Sequence, residues 1–376
     1  MKTAGTLTAA ALIAVCAGLP LQADAGISDY VTFSGFGTLG AVTTNTDEAQ
    51  FGRDRQLGGA TKSVDFGVDS DLGLQLAVRA NSWLSATVQG LFVKRDDKNP
   101  KLQPEWAFVK VGPVADLSLR VGRMALPTFV VSDSRNVGFA NTWLRAPNEV
   151  YGLAMLRRMD GADLSYTHAF GQVRLSATVL AGDSEMRALG TDYDANKVRG
   201  ANVQAEMGPV TVRAGRVVSD VYVSATQPSE PYKFTGYGIS FDQDNVIAQA
   251  EYVQRRADYY YNLVAANGWY MMGGYRFGAF TPYAIYSSTQ PLTSDAHLPI
   301  QLMYPLISYQ QKTTALGLRW DAASFASVKF QVEHVNTDGT PGISFSSTDA
   351  PAPALRFAVP VSKPVNVISA AVDFVF

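Results

Sequence analysis

The sequence predicts an all-β chain closed into a transmembrane antiparallel β-barrel of about 16 strands. Three observations carry that expectation: an export signal at the start, a long succession of segments that alternate apolar with polar residues, and connections between them that are alternately short and long.

The opening residues, MKTAGTLTAAALIAVCAGLPLQADA, set Lys2 before an apolar run from Leu7 to Leu19 and end in small residues at Ala23 and Ala25. This is the pattern of a secretory signal peptide over 1–25, leaving 26–376 as a single barrel domain. The apolar run is too short for a membrane helix, and no later stretch is long enough for one. Lipidation at Cys16 is set aside because bulky Val15 precedes it. Cys16 is the only cysteine, so the exported chain has neither disulfides nor thiolate ligands to hold it together. A net charge of −2 gives no reason to expect nucleic acid as a partner. Charged residues make up 17% of the chain, against roughly 25% in soluble domains.

Alternation begins at Tyr30. Val31, Phe33, Leu39 and Ala41 share one face, against Thr32, Ser34 and Thr38. Next come Leu72, Leu74, Leu76 and Val78 against Gln75 and Arg79, a turn at Asn81-Ser82, and Leu84, Ala86, Val88 and Phe92 against Ser85, Thr87 and Gln89. Further segments lie at 104–111, 116–123, 162–169, 172–181, 199–206, 209–217, 234–242, 246–254, 268–277, 280–288, 312–321, 325–335 and 365–376. Short turns at 81–82, 112–115, 170–171, 207–208, 243–245, 278–279 and 322–324 orient the barrel with these ends and both termini in the periplasm. Trp83, Phe170, Phe241, Phe277, Phe280, Trp320 and Phe325 cluster at the short-turn ends, where an aromatic girdle is expected.

The apolar faces must meet lipid, so Arg79, Arg120, Arg174, Arg213, Arg276 and Arg319 are expected to line the lumen. An arginine facing lipid at the midplane costs about 2–4 kcal/mol. A barrel of this size leaves an aqueous passage. Between Met124 and Arg158 the period vanishes, and this loop, 124–158, is expected to fold inward and constrict the bore. Its charges allow three arrangements. Asp133 and Glu149 facing the wall arginines set up a transverse field; Arg135 and Arg145 dominating favour anions; or the loop arginines pair with loop carboxylates and only hold the loop in place.

The segment from Glu105 to Tyr151, with WAFVKVG, LSLRVGR and WLRAPNEVY, and the ending VISAAVDFVF with its terminal Phe376, resemble the Gram-negative outer-membrane trimeric porin superfamily with its inward-folded third loop. The resemblance implies passage of ions and small hydrophilic solutes across the outer membrane, contact with its lipid, a homotrimer, and a last strand read by the barrel-assembly machinery. It implies no cofactor. The loop lacks the dense acidic run of general enterobacterial porins, which leaves a channel for anions such as phosphate or organic acids as the alternative.

Other motifs are weighed against this. Gly35-Phe36-Gly37-Thr38-Leu39-Gly40 matches G-x-G-x-x-G, but it sits inside a strand with no helix after it, so close packing or curvature is the expected use of its glycines. His168, His297 and His334 have no metal-ligand spacing, and His168 and His334 fall on outward positions. A lipid hydrolase would need one of them beside a serine, and a barrel plugged by its own loops would be structural or adhesive; no enzyme is expected. Asp65, Asp69 and Asp71 are read as part of a solvated external loop rather than a cation site.

Overall fold

The computed structural model describes residues 30–53, 56, 58–95, 99–188, 191–222, 229–257, 265–292, 310–347 and 360–376; the expected signal peptide and His297 lie outside them. The barrel strands are β1 (Val31–Thr44), β2 (Asp71–Arg79), β3 (Leu84–Val93), β4 (Lys101–Val114), β5 (Leu117–Ala125), β6 (Arg158–Phe170), β7 (Val173–Ala188) and β8 (Thr191–Met207). They continue with β9 (Val210–Tyr222), β10 (Glu230–Gln243), β11 (Val246–Ala257), β12 (Ala266–Tyr275), β13 (Phe280–Pro291), β14 (Gln311–Ala323), β15 (Ala326–Asn336) and β16 (Val365–Val375). Each pairs antiparallel with its neighbours in sequence, and β1 pairs with β16, Leu39 opposite Val372, to close the cylinder. Closure leaves no unpaired strand edge, which is what makes strands tolerable in hydrocarbon.

The alternation places Phe33, Leu39, Leu72, Leu74, Leu76, Val332 and Ile368 on the outer surface, all exposed. At the closing seam the outward rings of Phe374 and Phe376 cover Gly37 and Gly35, where a Cβ would overlap them. Two of the three glycines of the G-x-G-x-x-G match thus make room for the chain's own C-terminal rings, and the third, Gly40, lies against Asp69.

Two expectations need correction. Segments 172–181 and 199–206 were to be joined by a long connection, yet β7 runs to Ala188 and β8 starts at Thr191. Register shifts between Gly182 and Ser184, and a left-handed Lys197 (φ 53°), break the alternation and hide the extension. Nor is the inward face polar throughout. Val217, Phe234, Val253, Tyr270, Met272, Tyr283 and Ile285 point inward and form one buried apolar cluster with the inner loop.

Closing the seam gives the first prediction. Gly35→Val with Gly37→Val should destabilise the barrel by about 1–3 kcal/mol per site, lowering the heat needed to shift its mobility on a gel. Gly273→Val, with nothing within 4 Å of its Cβ, should leave that temperature unchanged.

Candidate functional site: a bore half covered by its inner loop

β5 ends where Leu126 and Pro127 begin the loop, since proline has no N–H to continue a ladder. Leu126 N donates to Arg157 O (2.8 Å) and closes the neck. Residues 126–157 between these points hold one 3₁₀ turn, Gly138–Ala140, and one short helix, α1 (Asn148–Tyr151). Its own backbone hydrogen bonds are confined to short turns such as Ser134 N to Val131 O and Asn141 N to Gly138 O, so the wall must satisfy many of the polar groups between them.

It does so in sequence. Val130 N donates to Glu251 Oε2 on β11 (2.8 Å). Arg135 then reaches Glu105 on β4 (3.7 Å), on the other side of the lumen. At Gly138 the backbone passes so close to Asp373 and Thr38 that a Cβ would overlap both. Lys329 on β15 is fully buried and gives its ammonium to the carbonyls of Gly138 (2.7 Å), Asn141 (2.7 Å) and Trp143 (3.0 Å), and to Asp373 (2.8 Å). Arg319 on β14 donates to Phe139 O and Asn141 O, both at 2.8 Å. Leu144 N donates to Tyr283 Oη (2.9 Å).

Arg145 is 2% exposed and meets Asp69 (2.5 Å), Glu333 and Ser369, with its guanidinium 4.8 Å above the Phe51 ring. Burial opposes its charge, but Asp69 and Glu333 more than offset that and raise its pKa. Glu149, 1% exposed, accepts from Ser287 (2.9 Å), Gln311 (2.7 Å) and Thr313. Tyr151 donates to Glu251 Oε1 (2.6 Å); burial first, and the Glu251 charge second, push its pKa well up, so it stays a donor. Phe129 stacks on Tyr151 (4.2 Å) and Trp143 meets Tyr270 edge-on (5.7 Å), which dries this side.

The loop therefore lies along β10–β16 and β1, whose inward residues Ser287, Thr313, Gln331, Ser369 and Thr38 are buried. Across the lumen, on β2–β9, the inward residues Gln75, Thr87, Lys110, Arg120, Ser165, Thr178 and Arg213 remain partly exposed. Arg120 binds Asp163 through three contacts of 2.5–3.1 Å and lies 5.4 Å above Phe108. Arg213 donates to Pro127 O. Asp133 is exposed on the loop and interacts electrostatically with both arginines.

The expected site residues thus separate. Arg120 and Arg213 face the open bore with Asp133, and Arg319 holds the loop. Arg79 and Arg174 are exposed on inward positions at the short-turn ends, Arg174 opposite Glu206. Arg276 lies past the end of β12, paired with Asp242 (2.7 Å). Glu149 and Arg145 do not border the bore: both are buried anchors. The loop arginines pair with carboxylates outside their own loop: Arg145 with Asp69 just before β2 and Glu333 on β15, Arg135 with Glu105 on β4. Asp69 and Asp71 are likewise no solvated cluster, for Asp69 binds Arg145 and Asp71 binds Arg53 (3.3 Å).

Lys329, Asp373, Glu251, Asp163 and Glu105 were missed. Lys329, Asp373 and Asp163 occupy inward positions in alternating segments, so charged residues of both signs on that face were the available signal. Glu105, where Arg95 (3.1 Å), Arg135 and Arg158 (3.5 Å) converge, sits in a bulge between Gln89 and Gly90 registers that breaks the pattern.

Anchoring by buried charge predicts that Arg145→Met costs about 3–5 kcal/mol, because Asp69 and Glu333 are left unpaired. Thermal unfolding should register that loss, while Arg79→Met at the rim should change stability by less than about 0.5 kcal/mol.

Comparison with known proteins agrees with this architecture. The model of the Gram-negative porin family matches residues 6–340. No curated protein matches the chain. Among solved structures, the outer membrane channel DcaP of Acinetobacter baumannii is similar with a TM-score of 0.61 and 11% identity, over 92% of this chain and 97% of that one. The anion-selective porin from Comamonas acidovorans has a TM-score of 0.59 and 13% identity, over 92% and 99%. OmpT of Vibrio cholerae, in its trimer form, has a TM-score of 0.54 and 12% identity, over 93% and 100%. With 16 strands closed around an inner loop and the family match spanning most of its length, the chain belongs to the Gram-negative porins, channels of the outer membrane for small solutes.

Proposed function

We propose that this porin works as a passive, water-filled channel whose open path runs between the loop and the inward faces of β2–β9. The observation that carries this is a contrast in exposure: Ser287, Thr313, Gln331 and Ser369 are buried under the loop, whereas Gln75, Thr87, Lys110, Ser165, Thr178 and Arg213 keep accessible surface, with Gln89, Glu105 and Asp163 as buried polar groups among them. Arg120 and Arg213 on the wall and Asp133 on the loop give the path a transverse field, which orients polar solutes and disfavours apolar ones.

A second reading, preference for anions, is favoured by the basic groups on the accessible inward face, Lys110, Arg120 and Arg213, with Arg79 and Arg174 at the short-turn rim. The acids facing that side are Asp133, Asp163 and Glu206, and Asp163 is bound to Arg120. The anion selectivity named for the Comamonas protein is in keeping with it.

A channel without enzymatic activity also suits the histidines. His168 bonds Asp116 (2.6 Å) between the rings of Tyr166 and Phe170, and His334 bonds Asn366 (2.8 Å); no serine partners either among the described residues. A homotrimer is proposed on the trimer form named for the Vibrio protein and on the uncharged outward face of β16, β1 and β2, which carries Ile368, Leu39 and Leu74. The outward Phe376 fits recognition of the last strand by the barrel-assembly machinery.

Planar-bilayer recording tests the proposal. Wild type should form open channels, and zero conductance would refute it. Asp133→Asn should raise the chloride-to-potassium permeability ratio and Arg120→Ala should lower it, each by about five-fold, as expected for about 1 kcal/mol at one charge in water. Unchanged reversal potentials in both variants would remove the field from the account.

A further inference from the structure

At the external mouth, the connection between β1 and β2 turns inward and meets the inner loop. Asn148 Nδ2 donates to Gly52 O (3.0 Å), Arg53 N donates to Gln56 Oε1 (3.2 Å), and Gln56 Nε2 donates to Val68 O (3.0 Å) and Lys94 O (2.8 Å). The backbone at Arg53 is thereby pinned between the loop and the end of β3. Beside it lies a cleft bounded by Arg53, Asp71, Lys94 and Arg95 on the wall side and by Asn136 and Arg145 on the loop.

Most of these groups are satisfied within the protein. Lys94 binds Asp65 (3.3 Å), Arg95 and Asn136 both reach Glu105 (3.1 Å each), and Arg145 is held by Asp69 and Glu333. The exception is the pair formed by Arg53 and Asp71. Arg53 Nη2 donates to Asp71 Oδ2 (3.3 Å), and Arg53 Nε lies 3.9 Å from Asp69. The Asp71 side chain is 5% exposed, yet among the described residues its Oδ1 has no hydrogen-bond partner. Nor does Nη1 of Arg53 bond to any described residue.

A buried carboxylate oxygen without a donor is costly, and nearly all such atoms in folded proteins are paired. Here the unused acceptor and the unused donor belong to two side chains already joined by a salt bridge, so they border the cleft together. A simple anion would satisfy only the guanidinium, and a simple amine only the carboxylate. An α-amino acid carries its ammonium and its carboxylate on one carbon and brings a charge-assisted hydrogen bond to each. Because the backbone of Arg53 is fixed in advance and Asp71 begins β2, little ordering cost is left for binding.

We propose that this cleft binds the zwitterion of an α-amino acid, with its ammonium on Asp71 Oδ1 and its carboxylate on Arg53, at the external side of the inner loop. Onward passage of the bound solute rests on the water-filled path proposed above; its binding does not.

Saturation-transfer NMR on the purified protein in detergent, titrating glycine, acetate, methylammonium and glycolate separately, tests this. Glycine should bind at least about ten-fold more tightly than each of the other three, as expected for one charge-assisted hydrogen bond gained. D71N and R53Q should each weaken glycine by about ten-fold. Wild-type protein that binds glycine no more tightly than acetate, methylammonium or glycolate would overturn the proposal whether or not the variants fold. So would unchanged glycine affinity in D71N. Selective glycine binding by a protein without conductance would uphold this site and refute the channel alone, whereas conductance with unselective binding would refute the site alone.

Discussion

Everything inside this barrel depends on buried charge on the wall meeting polar backbone on the loop. An irregular segment placed at membrane depth has carbonyls and amides without regular partners, and leaving them bare costs more than the loop's apolar packing returns. Lys329 gathers three loop carbonyls, Arg319 two, and Glu251 takes the Val130 amide. Arg145 supplies the reverse case, a loop cation inserted between Asp69, in the connection just before β2, and Glu333 on β15. These contacts hold most of the loop against β10–β16 and β1, while Arg135 and Asn136 tie it to Glu105 on β4.

Function follows from the asymmetry. A loop hung across the centre would leave two narrow paths. A loop sewn mainly to β10–β16 and β1, and touching β4 through Arg135, is proposed to leave its main path along the inward faces of β2–β9. The apolar cluster of Phe129, Trp143, Tyr151, Tyr270 and Tyr283 keeps water out from behind the loop, so the sewn side contributes rigidity and the open side contributes contact with solute. Asp133 stands at the border between them.

Much of this was legible in the chain. Period-two segments such as Leu72 to Arg79, the short turns and the aperiodic stretch after Met124 located the barrel and its inner loop, because lipid outside and water inside impose opposite demands on successive residues. What period could not give was pairing at a distance. Nothing local distinguishes Arg145, which is buried against Asp69 and Glu333, from Arg135 on Glu105, or Glu149, bonded to Ser287 and Gln311, from Asp133 in the open. Alternation also fails where a bulge shifts parity, which hid Glu105 on β4 and the external halves of β7 and β8. Inward apolar residues such as Phe234 and Tyr270 were misread for a related reason: a lumen partly filled by protein is a core, and the rule of polar inward holds only where water remains.

The most direct measurement is thiol accessibility on the two sides of the loop, using single cysteines at Ser165 on β6 and Gln331 on β15. A charged methanethiosulfonate reagent applied to reconstituted channels should alter the current through Ser165→Cys within the time of the recording and leave Gln331→Cys unmodified. Rapid modification of Gln331→Cys, with Ser165→Cys inert, would place the water on the side that the loop is held to cover and contradict the account.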